Sequence, residues 1–246
     1  MFPRSHFLQV ALVLALGACT KPAAQDQRAE TARAFPLPDR PVSRASSKFS
    51  SETDRDRLNE ANVVMDLTGI APGMSVADLG AGEGYYTVRL AQRVGKKGRV
   101  LAEDIDSRAS EQLGTRVLRE RLENVSIKLG MPDDPSLPQN SFDRILLIHM
   151  YHEVSEPYAF LWRMRPALRP GGKVVVVDVD RPTNAHGTPP DLLFCELSAV
   201  GFRLTQFVRK RQLQGYYAQF EAVGPRPEPP QIRPCRNTGG TRATVS

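Results

Sequence analysis

Cysteine, histidine and long apolar runs are scarce in this sequence, and each scarcity argues against a class of protein. Three cysteines and four histidines occur among 246 residues, and their spacing matches no zinc-site pattern. Lysine and arginine give a formal net charge of +6, but they form no basic helix or aromatic-interleaved stripe of the kind that binds nucleic acid. The apolar run from Phe7 to Ala18 is too short to span a bilayer. The sequence therefore predicts no metal site, no nucleic-acid partner and no transmembrane helix.

The first residues have the form of an export signal. Arg4 and His6 precede the apolar run, which ends in Leu16-Gly17-Ala18-Cys19. This ending resembles a bacterial lipobox, and the resemblance implies that Cys19 is lipidated and becomes the mature N-terminus. A buried helix is the less favoured alternative, because Lys21 and a long polar stretch follow at once. We expect a signal peptide over residues 1–19 and a lipid-anchored or periplasmic location, or a cytoplasmic one if the signal is not used.

Composition divides the rest of the chain into three parts. Residues 20–50 are rich in Ala, Arg, Pro and Ser and predict a flexible linker. Periodic apolar patterns run through residues 51–223 and predict one folded domain. Residues 224–246 have no apolar stripe and predict a disordered tail. Cys195 and Cys235 would be free to pair in an exported protein, although nothing in the sequence requires it.

Strand and helix patterns alternate along residues 51–223. A helical stripe runs from Leu58 to Ile70, and the strand patterns that follow cover 75–79, 99–104, 125–129, 142–149, 174–179, 202–208 and 216–223. Helical patterns separate most of these strands, whereas a polar loop over 132–141 joins the third to the fourth. The last two strands lie close enough in sequence to pair as a hairpin. The order predicts an α/β fold, with a mostly parallel sheet covered by helices on both faces. Ligands of such sheets bind beyond the carboxyl ends of the strands.

The stretch Val76–Tyr86 carries the strongest functional signal. Glycines stand at alternate positions between a strand and a helix, so the loop can wrap a small ligand. A dinucleotide fingerprint needs G-x-G-x-x-G, but Tyr85 replaces the last glycine. Asp78 before the glycines would repel a pyrophosphate and suits a cation. The stretch resembles motif I of the class I S-adenosylmethionine-dependent methyltransferases, and the resemblance implies cofactor contacts by Asp78, Gly80, Gly82, Gly84 and Tyr85.

Further cofactor contacts are expected after the second and third strands. The resemblance makes Asp104 the ligand of the ribose hydroxyls, because a carboxylate accepts two charge-assisted hydrogen bonds from a diol. Glu103 is the alternative if the strand pleats one residue differently. After the third strand, Met131 stands where many family members have an acid. We expect Met131 to pack on the adenine, and Asp133 or Asp134 to reach its amino group.

Two histidines after the fourth strand are candidates for acid–base chemistry. His149 and His152 align with a frequent histidine-containing segment of the family, which faces the space between sulfonium and acceptor. Histidine titrates near neutral pH and can remove a proton from an acceptor. The competing interpretation is that His152 only orders a turn.

Together these motifs resemble the class I methyltransferases over residues 51–223, and they include the lead-in Ser141-Phe142-Asp143 and the turn Leu168–Gly172. The resemblance implies the Rossmann-like seven-stranded fold with an antiparallel C-terminal hairpin. It also implies S-adenosyl-L-methionine as cofactor and methyl transfer to an unidentified, small-molecule acceptor. One alternative is an exported, non-catalytic lipoprotein that keeps the fold as a binding scaffold. An NAD(P)-dependent oxidoreductase is less favoured, because Tyr85 and Asp78 disagree with it.

Overall fold

A computed structural model describes residue 26 and residues 28–41 and 51–236. The predicted signal peptide and its Cys19 lie outside these residues. In the part of the chain that is described, no helix has the length and apolar character needed to cross a membrane.

Seven strands form one sheet, and its topology confirms the predicted fold class. They are β1 (Ser75–Leu79), β2 (Arg99–Asp104), β3 (Val125–Leu129), β4 (Phe142–Ile148), β5 (Leu168–Asp178), β6 (Phe202–Lys210) and β7 (Gly215–Ala222). The spatial order is β3-β2-β1-β4-β5-β7-β6. Strands β1 to β5 pair in parallel, and β7 inserts antiparallel between β5 and β6. The change of direction in strand order at β1 and β4 creates a crevice beyond their carboxyl ends.

Six α-helices accompany the sheet in the residues that the structure describes. They are α1 (Glu52–Arg57), α2 (Glu60–Thr68), α3 (Tyr85–Val94), α4 (Ser107–Arg119), α5 (Pro157–Met164) and α6 (Pro190–Ala199). The predicted helical stripe from Leu58 to Ile70 corresponds to α2, and the short helix α1 before it was not predicted. Asn59 between them has a left-handed backbone, with φ of 56°, which interrupts helical hydrogen bonding.

The central strands are apolar on both faces because helices cover both. Along β5, Val174 and Val176 face the core layer that contains α5 and α6, while Val175 and Val177 face the layer that contains α2 and α3. All four are fully buried. A continuous apolar run is what a strand between two helical layers requires.

Part of the predicted flexible linker is packed on the domain instead. Residues 28–41, which we call the strap, begin with Arg28, whose guanidinium donates to both carboxylate oxygens of Glu156 at 2.8 and 2.7 Å. Ala32 and Phe35 are buried in the core layer of α5 and α6. At the far end, Arg40 donates to Glu196 at 3.2 Å. Composition missed the strap because its few apolar residues show no periodicity.

Part of the predicted disordered tail is also ordered. Cys235 is bonded to Cys195 of α6 by a disulfide, and Ile232 is 4% exposed. The indole nitrogen of Trp162 donates to the carbonyl of Pro227 at 2.8 Å. Residues 224–236 therefore pack across α5 and α6, while residues 237–246 lie outside the described part.

Candidate active site

The glycine loop after β1 has the backbone geometry that its sequence predicts. Gly80, Gly82 and Gly84 all have positive φ, of 66°, 54° and 88°. A side chain at Gly84 would also bring its Cβ within 2.4 Å of Leu113, so this glycine allows α4 to approach. Nothing lies within 4 Å of the corresponding point at Gly82. The middle of the loop is therefore open to a ligand.

Asp104, at the end of β2, is joined to this loop. The Gly82 N–H donates to Asp104 Oδ2 at 2.8 Å, and the Asp106 N–H donates to Oδ1 at 2.9 Å. Each carboxylate oxygen can accept a further hydrogen bond. The predicted ribose ligand and the predicted loop thus lie side by side, as a shared ligand requires.

Glu103 and Asp78 place two buried carboxyl groups next to the loop. Burial and the neighbouring Asp104 raise the pKa of Glu103 to about 8. Burial likewise raises the pKa of Asp78 to about 6, although Thr87 donates to it at 2.6 Å and opposes the shift. Both carboxyl groups are almost fully buried. Their shifted pKa values show that this pocket disfavours further negative charge.

These residues fit a cationic nucleoside such as S-adenosylmethionine. Glu103 Oε1 is buried and has no hydrogen-bond partner among the described residues. A Cβ at Gly130 would lie 1.4 Å from that oxygen, so the carboxyl group packs directly on the glycine. An unsatisfied acceptor beside Asp104 suits a positively charged ligand with hydroxyl donors. The same group of acids is unsuited to a pyrophosphate.

The side chain of Tyr85, the last residue of the predicted cofactor loop, has partners within the protein. Its hydroxyl donates to Asp56 at 3.0 Å, and the guanidinium groups of Arg55 and Arg89 each lie 3.9 Å from its ring centroid. The ring is thus held by side chains of α1 and α3. The sequence motif places Tyr85 next to the loop, but its side chain direction depends on α1.

The carboxylate of Asp133, which is predicted to reach the adenine, has partners within the protein. This carboxylate accepts hydrogen bonds from Thr31 and Arg163, both at 2.7 Å. Burial would raise the pKa of Asp133, but these two partners outweigh it and lower the pKa. Asp134 instead accepts from the Ser136 N–H at 2.6 Å. Met131 is half exposed after β3, so it keeps a place compatible with the predicted packing on adenine.

The two candidate histidines have different surroundings. His149 Nε2 lies 3.3 Å from Glu60 Oε1, and Glu60 also accepts from Arg55 at 2.7 Å and from Tyr86 at 2.9 Å. Burial would raise the pKa of Glu60, but His149 and Arg55 lower it to about 2. Nothing in the sequence pattern indicates Glu60 as a partner, because it lies in a helix before the glycine loop. His149 therefore belongs to a charged cluster between β4 and α2.

His152 forms a buried pair with Asp178, at the end of β5. His152 Nδ1 lies 3.1 and 3.2 Å from the two Asp178 oxygens. Thr188 and the Val179 N–H each donate to Asp178 at 2.8 Å. A carboxylate at Nδ1 holds the proton there and leaves Nε2 as the acceptor. Of the two histidines, His152 has the arrangement expected of a base.

Comparisons with known proteins agree with this geometry. Residues 76–172 match the protein family described as "Methyltransferase domain". The chain is 33% identical over 120 residues to the ubiquinone/menaquinone biosynthesis C-methyltransferase UbiE of Shewanella sp. (strain ANA-3), an alignment that covers 48% of this chain and 47% of the relative. The chain thus spans about half the length of the curated relatives that it matches.

Solved structures show the same fold. A SAM-dependent methyltransferase from Aquifex aeolicus matches with a TM-score of 0.60 and 23% identity, covering 70% of this chain and 97% of the other. An arsenic (III) S-adenosylmethionine methyltransferase from Chlamydomonas reinhardtii matches with a TM-score of 0.51 and 20% identity, covering 64% and 66%. The protein therefore has the Rossmann-like fold of the S-adenosylmethionine-dependent methyltransferases, and its residues 76–172 match their methyltransferase domain.

Proposed function

We propose that this protein transfers a methyl group from S-adenosylmethionine to a small-molecule acceptor. The observation that carries the proposal is the hydrogen bond between Gly82 and Asp104, which joins the open glycine loop to the carboxylate of β2. The buried acids Asp78 and Glu103 beneath this pair favour a cation. The match to a methyltransferase domain family supports the same reaction.

The residues of the chain would bind the cofactor and position the acceptor. The loop Gly80–Gly84 would receive the amino-acid half of the cofactor, Asp104 the ribose hydroxyls, and Met131 one face of the adenine. Bound S-adenosylmethionine supplies an activated methyl group on a sulfonium sulfur. The main task of the protein is then to align the acceptor, since orientation removes much of the entropic barrier.

His152 is proposed to face the acceptor. Its Nδ1 is engaged by buried Asp178, so Nε2 would accept a proton from an acceptor hydroxyl or from an acidic carbon. An acceptor that is already nucleophilic would need no base. The named relatives are C-methyltransferases of ubiquinone and menaquinone biosynthesis, which supports an acceptor whose carbon must lose a proton.

Replacement of Asp104 tests the cofactor site. We expect Asp104→Asn and Asp104→Ala to weaken binding of S-adenosylmethionine and its demethylated product by about 10- to 100-fold, because each hydrogen bond to a charged group contributes about 1.5–3 kcal/mol. Isothermal titration calorimetry measures the affinities. Asp106→Asn is the matched control, since Asp106 caps α4 by accepting from the Arg108 N–H.

Equal affinity in wild type and Asp104→Ala would contradict the ribose contact. If the wild-type protein binds neither molecule, the proposed function is wrong. Heat on titration with NADH but not with S-adenosylmethionine would instead favour an oxidoreductase.

We also propose that the protein is exported and anchored through Cys19. The disulfide between Cys195 and Cys235 supports export, because disulfides persist in oxidising compartments and are rare in the cytosol. Acyl chains on Cys19 would then hold the domain at a membrane surface. Fractionation and mass spectrometry of the N-terminus test this. A lipid-modified Cys19 that is lost in Cys19→Ser is the expected result, and an unprocessed Met1 in the soluble fraction would contradict it.

A further inference from the structure

Three metal-ligating side chains meet beyond the carboxyl ends of β4 and β5. His152, Glu153 and His186 each offer one donor atom, and these atoms lie within 4.8 Å of one another. His152 Nε2 is 3.8 Å from Glu153 Oε1. The rings of His152 and His186 meet edge to face, with centroids 5.8 Å apart. The chain brings them together from two different loops.

Asp178 fixes the orientation of the His152 ring. Its Nδ1 lies 3.1 Å from buried Asp178, and its Nε2 lies on the side of Glu153, 3.8 Å from Oε1. Metal-binding histidines are commonly held in this way, because a carboxylate at one ring nitrogen fixes the tautomer and makes the other nitrogen more basic. Asp178 is itself held by Thr188 and the Val179 N–H. The arrangement is therefore preorganised.

His186 is positioned by a short loop between β5 and α6. It follows the 3₁₀ turn Thr183–Ala185, and its N–H donates to the Thr183 carbonyl at 3.2 Å. Its backbone is left-handed, with φ of 55°, a conformation that histidine adopts more readily than most residues. The Thr188 N–H donates to the Val179 carbonyl at 2.8 Å and closes the loop.

The local charge favours a cation. The carboxylates of Asp178 and Glu153 lie at the two ring nitrogens of His152, 3.1 Å from Nδ1 and 3.8 Å from Nε2, and the His186 ring packs against the same imidazole. Two carboxylates thus share this region with two imidazoles. A divalent cation among them would offset the repulsion between the carboxylates.

We propose that His152, Glu153 and His186 form a binding site for a divalent transition-metal ion, with Asp178 holding His152 in place. Two imidazoles and one carboxylate are the protein ligands of many catalytic zinc sites, and such sites leave a position open. Zinc bonds of about 2.0–2.1 Å place tetrahedral ligand atoms about 3.3 Å apart. Glu153, whose side chain is 38% exposed, has room for the movement of about 1 Å that this requires.

If the proposed function is correct, the metal site would favour acceptors that carry a hydroxyl or enol oxygen. An acceptor hydroxyl or enol oxygen in the open position would lose its proton to solvent more readily, because a bound metal stabilises the resulting anion. That oxygen, or the carbon conjugated to it, would form a bond to the methyl carbon as the carbon–sulfur bond breaks. The electron pair of that bond remains on sulfur, giving a neutral thioether. His152 would then act as a ligand, and the metal would replace it in activating the acceptor.

Metal titration of the untagged, full-length protein tests the site. After removal of metal with a chelator, we expect one equivalent of Zn²⁺ to bind by calorimetry, and Co²⁺ to give a visible absorption band. Loss of an outer-sphere partner costs about 10–100-fold in metal affinity. We therefore expect Asp178→Asn to bind Zn²⁺ about 10–100-fold more weakly than wild type. Glu153→Gln and His186→Ala should weaken Zn²⁺ binding further. Asp180→Asn, an exposed acid paired with Arg209, is the matched control and should bind Zn²⁺ like wild type.

The metal site and the proposed methyl transfer can fail separately. No stoichiometric Zn²⁺ or Co²⁺ binding, or binding unchanged in Glu153→Gln and His186→Ala, would overturn the metal site. Thermal unfolding of the metal-free variants tests whether they are folded. Glu153 and His186 are partly exposed, so we expect their replacement to leave the core filled. S-adenosylmethionine binding to metal-free wild type is measured separately. Its absence overturns the proposed methyl transfer and leaves the metal site standing.

Discussion

Breaking the disulfide between Cys195 and Cys235 is expected to lower the free energy of unfolding by about 4 kcal/mol. The cross-link closes a loop between residues that are 40 apart in sequence, and it restricts the unfolded chain more than the folded one. For a domain of this size the loss corresponds to a decrease in melting temperature of about 10 °C. Denaturant unfolding of Cys195→Ser/Cys235→Ser, compared with oxidised wild type, measures it.

Reduction of the wild-type protein provides the control for that experiment. A reducing agent should lower the stability of wild type to that of the double variant, and it should leave the double variant unchanged. Cys235 also donates its N–H to the Tyr158 hydroxyl at 2.6 Å, and Ile232 is buried nearby. If the loss is below about 1 kcal/mol, these contacts rather than the disulfide hold residues 224–236.

Replacing Glu103 is expected to remove a large pH dependence of stability. The pKa of Glu103 rises from 4.5 to about 8 on folding, first through burial and then through the nearby Asp104. The folded state therefore holds a proton that the unfolded state releases, and stability falls as the pH rises from about 4.5 toward about 8. One pKa unit is equivalent to about 1.4 kcal/mol, so ionisation of Glu103 in the fold costs up to about 5 kcal/mol.

The measurement compares two carboxyl groups whose pKa values are shifted in opposite directions by folding. At about pH 9 we expect Glu103→Gln to be more stable than wild type. This difference in the free energy of unfolding should exceed the difference at about pH 6 by several kcal/mol. Glu221 is the control, because hydrogen bonds from Lys173 and Arg203 lower its pKa to about 2. Glu221→Gln should change stability by the same amount at both pH values. Equal pH profiles for wild type and Glu103→Gln would contradict the buried, protonated Glu103.

The order of elements was predictable because its signals are local. The bounds of β1, β2 and β3 agree with the sequence prediction to the residue, since turn residues and apolar runs delimit each strand. The short helix α1 was missed, because none of its residues is buried and it therefore has no apolar stripe. The strap was missed for the same reason, since Ala32 and Phe35 are buried without forming a periodic pattern.

The candidate site was predictable in part. A loop of glycines and the acid Asp104 can be placed from the strand order alone, because parallel strands end at the same edge of the sheet. Asp133 was predicted to reach the adenine. Its carboxylate accepts hydrogen bonds from Thr31 and Arg163, which belong to the strap and to α5.

The sequence alone determined the order of strands and helices, the conformation of the glycine loop and the position of Asp104 beside it. Each of these depends on residues that are neighbours in the chain or on a general rule for parallel sheets. Only the tertiary structure decided that His149 pairs with Glu60, that His152 pairs with Asp178 and that His186 joins Glu153. These pairs unite loops and helices that are distant in sequence. The packing of α2, and of the loop after β5, against the sheet sets which charges meet.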